Sequence, residues 1–150
     1  MSAAIEIRSP MAKDKSDWAR LWEDYLAFYE TLVSDHVQAA TFASFFSDDP
    51  HAPRCLLALQ EGKVAGLVHF LFHAHCWRPE GICYLQDLFV DPAARKGGIG
   101  GALIQAVYHA ADARGVPNVY WTTQTFNHTA RRLYDQIGAA TPFMKYVRVT

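Results

Sequence analysis

The chain has 150 residues, 51% of them hydrophobic and 19% charged, with a formal net charge of −1. That content can fill a core, so one domain over residues 1–150 is expected, and the charge balance argues against a nucleic-acid binder, which shows a basic face. No apolar run approaches the roughly eighteen residues of a membrane helix, and no basic-then-apolar leader is visible. Cys55, Cys76 and Cys83 are odd in number and form no C-x-x-C pair, which reads as reduced thiols in a cytoplasmic protein.

Ile5-Glu6-Ile7-Arg8 alternates and stops at Ser9-Pro10, which predicts a first strand. A helix follows from about Ser16, taken as N-cap, with Trp18, Leu21, Trp22, Tyr25, Leu26 and Tyr29 on one face. A second helix is expected over Val37 to Phe46, bounded by Asp48-Asp49-Pro50. Arg54 to Leu59 reads as a strand, turning at Glu61-Gly62-Lys63 into a long strand from Val64 to about Trp77. Pro79-Glu80-Gly81 predicts another turn, into a strand from Ile82 to Val90. A helix with Ile99, Leu103, Ala106, Val107 and Ala110 on its apolar face runs to Gly115. Asn118 to Thr123 is a strand, Asn127 opens a helix ending at Gly138, and Phe143 to Val149 is expected as a last strand. The order is β-α-α-β-β-β-α-β-α-β, a mixed α/β (α+β) class.

Between the strand ending at Val90 and the helix beginning near Ile99 lies Pro92-Ala93-Ala94-Arg95-Lys96-Gly97-Gly98-Ile99-Gly100-Gly101. Glycines let backbone approach a ligand closely, and the first N–H groups of a helix have no internal partner. With Arg95 and Lys96 beside them, these features build an anion site suited to phosphate. A P-loop is excluded, because no Lys-Ser or Lys-Thr follows the glycines. A dinucleotide fingerprint is excluded too: Leu103 stands where a small residue is needed, and Asn118-Val119-Tyr120 offers no acid for a ribose.

Arg95-x-x-Gly98-x-Gly100 instead resembles the pyrophosphate loop of the GNAT family of N-acetyltransferases. Asn127-x-x-Ala130-x-x-Leu133-Tyr134-x-x-x-Gly138 and the order of elements extend the resemblance over nearly the whole chain. Tyr84-Leu85-Gln86-Asp87-Leu88-Phe89-Val90 and Val119-Tyr120-Trp121 are similar to the branch of yeast histone/polyamine and animal diamine acetyltransferases. The resemblance implies a mixed sheet of about six or seven strands with about four helices. It also implies acetyl-CoA as cosubstrate, a small-molecule primary amine (a polyamine, an amino acid or a related amine) as acceptor, direct attack in a ternary complex, and a homodimer. No metal, nucleic acid or membrane partner is expected.

Carried over residue by residue, the resemblance gives Leu88, Phe89 and Val90 to the pantetheine arm, on a strand splayed at a β-bulge. It gives the pyrophosphate to Arg95 and the backbone of Lys96, Gly97, Gly98, Ile99, Gly100 and Gly101, with further contacts at Asn127, Ala130 and Tyr134. Tyr134 is the implied hydrogen-bond donor to departing thiolate. With a thiol near ~8.5 and a phenol near ~10, full proton transfer is uphill by roughly 2 kcal/mol, so hydrogen bonding to the developing charge is favoured.

Gln86 departs from the animal enzymes, which place a glutamate there; a glutamine orients a water or the amine and takes no proton. Tyr84 shares its face, while strict alternation turns Asp87 to the other side of the sheet as a structural acid. Tyr25, Tyr29 and Glu30 are the candidates for the acceptor wall, where aromatics beside acids suit a cationic amine. Three histidines, His69, His73 and His75, share one strand face without a fourth ligand at useful spacing, so a proton relay competes with zinc for them. The missing glutamate keeps a rival open, a non-catalytic acyl-CoA-binding module; acetylation of a protein lysine or N-terminus is a further alternative.

Overall fold

The computed structural model describes residues 4–150. Strand β1 (Ile5–Arg8) leads through a 3-10 turn to helices α1 (Lys15–Phe28) and α2 (Asp35–Ser44). Strands β2 (Arg54–Gln60), β3 (Lys63–His75) and β4 (Arg78–Val90) form a meander. Helix α3 (Ile99–Ala113), strand β5 (Val119–Tyr120) and helix α4 (His128–Ile137) complete the elements. The sheet order is β1-β2-β3-β4-β5, antiparallel throughout except for the parallel β4–β5 pair.

Each face of the sheet carries its own core. On one face α3 buries Ile99, Leu103, Ile104, Val107 and Ala111 against Val68, Phe70, Phe72, Cys83 and Leu85. Gly66 permits this seating: a Cβ there would lie 2.9 Å from Ile99 Cγ2 and 3.2 Å from the Phe89 carbonyl oxygen. On the other face Trp18, Leu21 and Trp22 of α1 pack with Phe42 onto Leu57, Leu67 and Phe89. The spacing along α1 turns Trp18, Leu21 and Trp22 inward, and Trp18 stacks on Trp22 at 5.0 Å, while Phe28 at its end stays exposed.

Four expectations need correction. Helix α1 begins at Lys15 behind Asp14, so Ser16 is inside it and is no N-cap. The β3–β4 turn falls at Cys76 and Trp77; Pro79-Glu80-Gly81 lies within β4, where the register slips between His73 and His75. Gly81, at φ 87°, allows that irregularity, since a Cβ there would stand 2.7 Å from the His73 carbonyl oxygen. Strand β5 spans two residues, far less than Asn118 to Thr123. The last strand is absent: residues 143–149 join no ladder, with Phe143, Tyr146 and Val149 between 85% and 93% exposed. The sheet therefore has five strands among the described residues, fewer than the six or seven expected. An alternating pattern makes a strand only where an edge is available to pair with it.

Candidate active site

The site is organised by one irregularity in β4. On β3, His69 pairs with Asp87 and the adjacent Phe70 pairs with Leu85, so Gln86 is an extra residue without a partner. This β-bulge reverses the alternation of the strand. Before it, Cys83 and Leu85 face α3; after it, Phe89 faces α1. At the bulge itself, Tyr84, Gln86 and Asp87 all open onto one cavity. Asp87 therefore shares the cavity with Gln86, contrary to the expectation from strict alternation.

Beyond the bulge the outer edge of β4 is bare, because β5 pairs only with Cys83 and Tyr84. The Asp91 N–H donates to the Ala65 carbonyl at 2.8 Å. Antiparallel alternation then turns the backbone of Phe89 toward Leu67 on β3 and the backbone groups of Leu88 and Val90 outward. Of the three residues named for the pantetheine arm, Leu88 offers both backbone groups and Val90 its N–H at the free edge, while Phe89 offers its ring to the α1 core. The Val90 carbonyl accepts from Arg95 Nε at 3.1 Å, and the Arg95 guanidinium lies 5.4 Å from the Phe89 ring centroid.

The glycine loop follows directly. Asp91 caps its opening turn, accepting from the Ala93 N–H, and pairs with Arg20 at 3.2 Å. The Ala93 N–H holds the Asp91 carboxyl below the usual carboxylate range, with Arg20 and Arg95 adding to the effect. Lys96 at φ 72° and Gly98 at φ 81° adopt left-handed conformations, turning the chain into α3. Gly98, the N-cap, has no side chain to satisfy the N–H groups of Ile99, Gly100 and Gly101, and the first intrahelical bond runs from Ala102. Uncapped N–H groups, a helix dipole and the exposed Arg95 and Lys96 make a cradle for a doubly charged anion. Gly100 serves packing as well: a Cβ there would touch Leu133 Cδ2 at 3.2 Å, so it sets how closely α4 lies to α3.

Across the bare edge the cavity holds about 430 Å³. Its walls include Tyr25 of α1 and Tyr29 just past its end, Tyr84, Gln86 and Asp87 from β4, and Lys145. Tyr84 stacks on Tyr120 at 4.8 Å, and the Tyr120 hydroxyl lies 2.8 Å from His73 Nε2. Burial, then the neighbouring Asp87 charge, pushes the Tyr25 and Tyr29 hydroxyls above the ordinary phenol value. Glu30, with φ 55°, is exposed just past α1 and does not line the cavity.

Tyr134 lies on α4 beside a second hollow of about 210 Å³, lined also by Tyr108, Trp121 and Arg131. Its ring meets Trp121 edge-on at 5.5 Å, and burial, with Tyr29 nearby, pushes its hydroxyl up to about 12. Asn127 caps α4, its Oδ1 accepting from the Ala130 N–H at 3.2 Å, which leaves its amide nitrogen free to donate outward. The histidines part company: His69 is buried against Asp87, His73 meets Tyr120, and His75 accepts from the Trp77 N–H. No cluster of three metal-ligating side chains occurs among the described residues. Sequence reasoning missed Asp87 and Lys145 as cavity groups. The bulge that brings in Asp87 is a property of pairing, and Lys145 comes from a segment read as a strand.

Three comparisons bear on this geometry. The model of the "Acetyltransferase (GNAT) family" matches residues 18–139. The D-amino-acid N-acetyltransferase HPA3 of Saccharomyces cerevisiae is 34% identical over 145 residues, covering 96% of this chain and 90% of that protein. The thialysine N-epsilon-acetyltransferase of Bos taurus is 31% identical over 148 residues, covering 91% and 85%. Among solved structures, the acetyltransferase AAC(6')-Iy with a bisubstrate analogue of CoA superposes with a TM-score of 0.83 at 17% identity, covering 99% of both chains, a likeness of fold alone. These matches fall in the branch that the β4 and β5 motifs suggested. The chain belongs to the GNAT acetyltransferase family and is an acetyl-CoA-dependent N-acetyltransferase.

Proposed function

We propose that this enzyme transfers acetyl from acetyl-CoA to the primary amine of a small molecule, by direct attack of the amine in a ternary complex. The observation that carries this reading is the position of the acid-lined cavity immediately beside the bare edge of β4, ahead of the uncapped start of α3. The residues present fit the cosubstrate. Arg95 and the backbone of Lys96, Gly97, Gly98, Ile99, Gly100 and Gly101 would hold the pyrophosphate; Leu88 and Val90 would take the pantetheine as an added strand, with Asn127, Ala130 and Tyr134 alongside. Bound acetyl-CoA supplies an activated acyl group. The chain supplies position: Tyr25 and Tyr29 wall the amine, Asp87 offers it a carboxylate, Gln86 and Tyr84 order water around it, and Tyr134 donates toward the departing sulfur. Asp87 inside the cavity removes the reason for a non-catalytic reading, which rested on the missing glutamate at Gln86.

Within the class of small amines we favour an amino acid over a polyamine. The cavity carries one anionic and one cationic side chain, Asp87 and Lys145, which complement an ammonium and a carboxylate on one molecule. The two relatives named for a D-amino acid and for thialysine have amino-acid acceptors of that kind. Release of free thiol from acetyl-CoA, measured over a panel of D- and L-amino acids, spermidine and putrescine, tests both levels. Amine-dependent release led by an amino acid is expected. Binding of acetyl-CoA with no amine-dependent release would refute the enzyme reading, and release led by spermidine would refute the amino-acid preference. The three free cysteines suit a reducing compartment, so we place the enzyme in the cytoplasm; a disulfide in the native protein would count against this.

A further inference from the structure

Beneath the acceptor cavity runs a buried polar chain that acetyl transfer by itself does not require. Trp18, fully buried, donates its indole N–H to His69 Nε2 at 2.9 Å, and His69 Nδ1 lies 2.8 Å from Asp87 Oδ2. An indole nitrogen gives a hydrogen and accepts none. Nε2 must therefore receive with its lone pair, which puts the ring's hydrogen on Nδ1, pointing at Asp87. The ring has little freedom to choose otherwise. It is 3% exposed, with Phe45 at 5.0 Å and Trp22 edge-on at 5.8 Å. Its place opposite Asp87 is fixed by the register just before the bulge.

We propose that His69, clamped by Trp18, is a positioning residue for the acceptor. It binds Asp87 Oδ2 from the core side, which leaves Oδ1 as the oxygen presented to the cavity. This rests on reading that cavity as the acceptor site. Without the clamp the carboxylate keeps its Tyr25 contact but is free to turn about its side-chain bonds, and the amine loses a fixed partner. Tyr25 hydrogen-bonds the same carboxylate from the cavity wall, and His69 supplies the contact from the core. Tyr25 and Tyr29 face Asp87 from α1 and its end, Lys145 lies on the cavity wall, and Cys55 of β2 is the register partner of His69, its thiol raised mainly by burial.

The test combines kinetics with a spectroscopic signature. With the best amino acid of the panel, His69→Leu is expected to raise the acceptor KM about tenfold, leaving kcat and the acetyl-CoA KM within about twofold. His69→Gln, whose amide can accept from Trp18 and donate to Asp87, is expected to bring the acceptor KM back to within about threefold of the original. Nitrogen-15 shifts of the imidazole in the unsubstituted enzyme are expected to show hydrogen on Nδ1 and none on Nε2. Hydrogen on Nε2 overturns the clamp whether or not the variants fold, and so does a His69→Leu enzyme with an unchanged acceptor KM. Asp87→Asn separates the two levels: a large rise in acceptor KM there, with His69→Leu silent, removes the clamp and keeps the cavity. An Asp87→Asn enzyme with unaltered acceptor kinetics removes the cavity reading itself.

Discussion

In the proposed reaction Tyr134 presents a hydroxyl that burial pushes up to about 12 to a departing thiol. Against a thiol near ~8.5, complete proton transfer is uphill by roughly 5 kcal/mol, steeper than the roughly 2 kcal/mol implied by an ordinary phenol. Burial therefore favours a hydrogen bond to developing thiolate charge over delivery of a proton. Tyr134→Phe is expected to lower kcat by about 10- to 100-fold while acetyl-CoA affinity stays within about twofold. Equal losses in both would make Tyr134 a packing residue of α4. A second residue matters for stability alone. Asp14 accepts from both terminal guanidinium nitrogens of Arg8, at 2.7 and 3.1 Å, and from the Met11 N–H at 2.7 Å. The Arg8 hydrogen bond holds its carboxyl below the usual range in the folded state. A depressed folded pKa stabilises the fold above the unfolded value of about 3.9, and this share is lost as pH falls through the folded value. Asp14→Asn is expected to cost about 2–3 kcal/mol at neutral pH in denaturant unfolding, with the gap to the unsubstituted protein closing below about pH 4. A gap that stays constant into acid would show that the charge of Asp14 contributes nothing.

At the scale of elements, the parts of the site written in local chemistry are legible in the chain. The strand–glycine loop–helix unit can be read because left-handed turns, helix starts and helix stops each demand particular residues, and Gly98, Ile99 and Gly115 stand where those demands fall. The Asn127 cap and the Ala130, Leu133, Tyr134 and Ile137 stripe of α4 are legible for the same reason. The bulge at Gln86 is not, because nothing in Leu85-Gln86-Asp87 says which residue β3 will skip. That one unpaired residue decides whether Asp87 is buried structure or cavity wall. The C-terminal segment fails differently. Phe143, Met144, Tyr146, Val147 and Val149 carry strand-forming side chains, yet all are at least 72% exposed and none is paired. We propose that this segment completes the sheet of a second copy, giving the homodimer expected from the family resemblance. Sedimentation of the protein truncated after residue 141 is expected to give a monomer where the whole chain gives a dimer. A full-length monomer, or a truncated dimer, would place the interface elsewhere or abolish it.

The whole molecule divides its labour between the two faces and one open edge of a five-stranded sheet. The α3 face anchors the loop that suits a pyrophosphate, and the α1 face supplies the aromatic and acidic walls that suit an amine. They meet along residues 86–90 of β4, where the strand is bulged on one side and bare on the other. Two substrates held at once, as proposed, would need no covalent relay, and neither cavity carries a cysteine that could serve as one. Burial pushes Cys55 and Cys83 upward, Cys83 to about 11, while Cys76 stands at the exposed β3–β4 turn and lines neither cavity. Direct transfer between two simultaneously bound partners is the central claim, and initial rates measured with acetyl-CoA and amine varied together test it most directly. Double-reciprocal lines that intersect are the result expected; parallel lines, the mark of an acetylated enzyme formed before the amine binds, would contradict it.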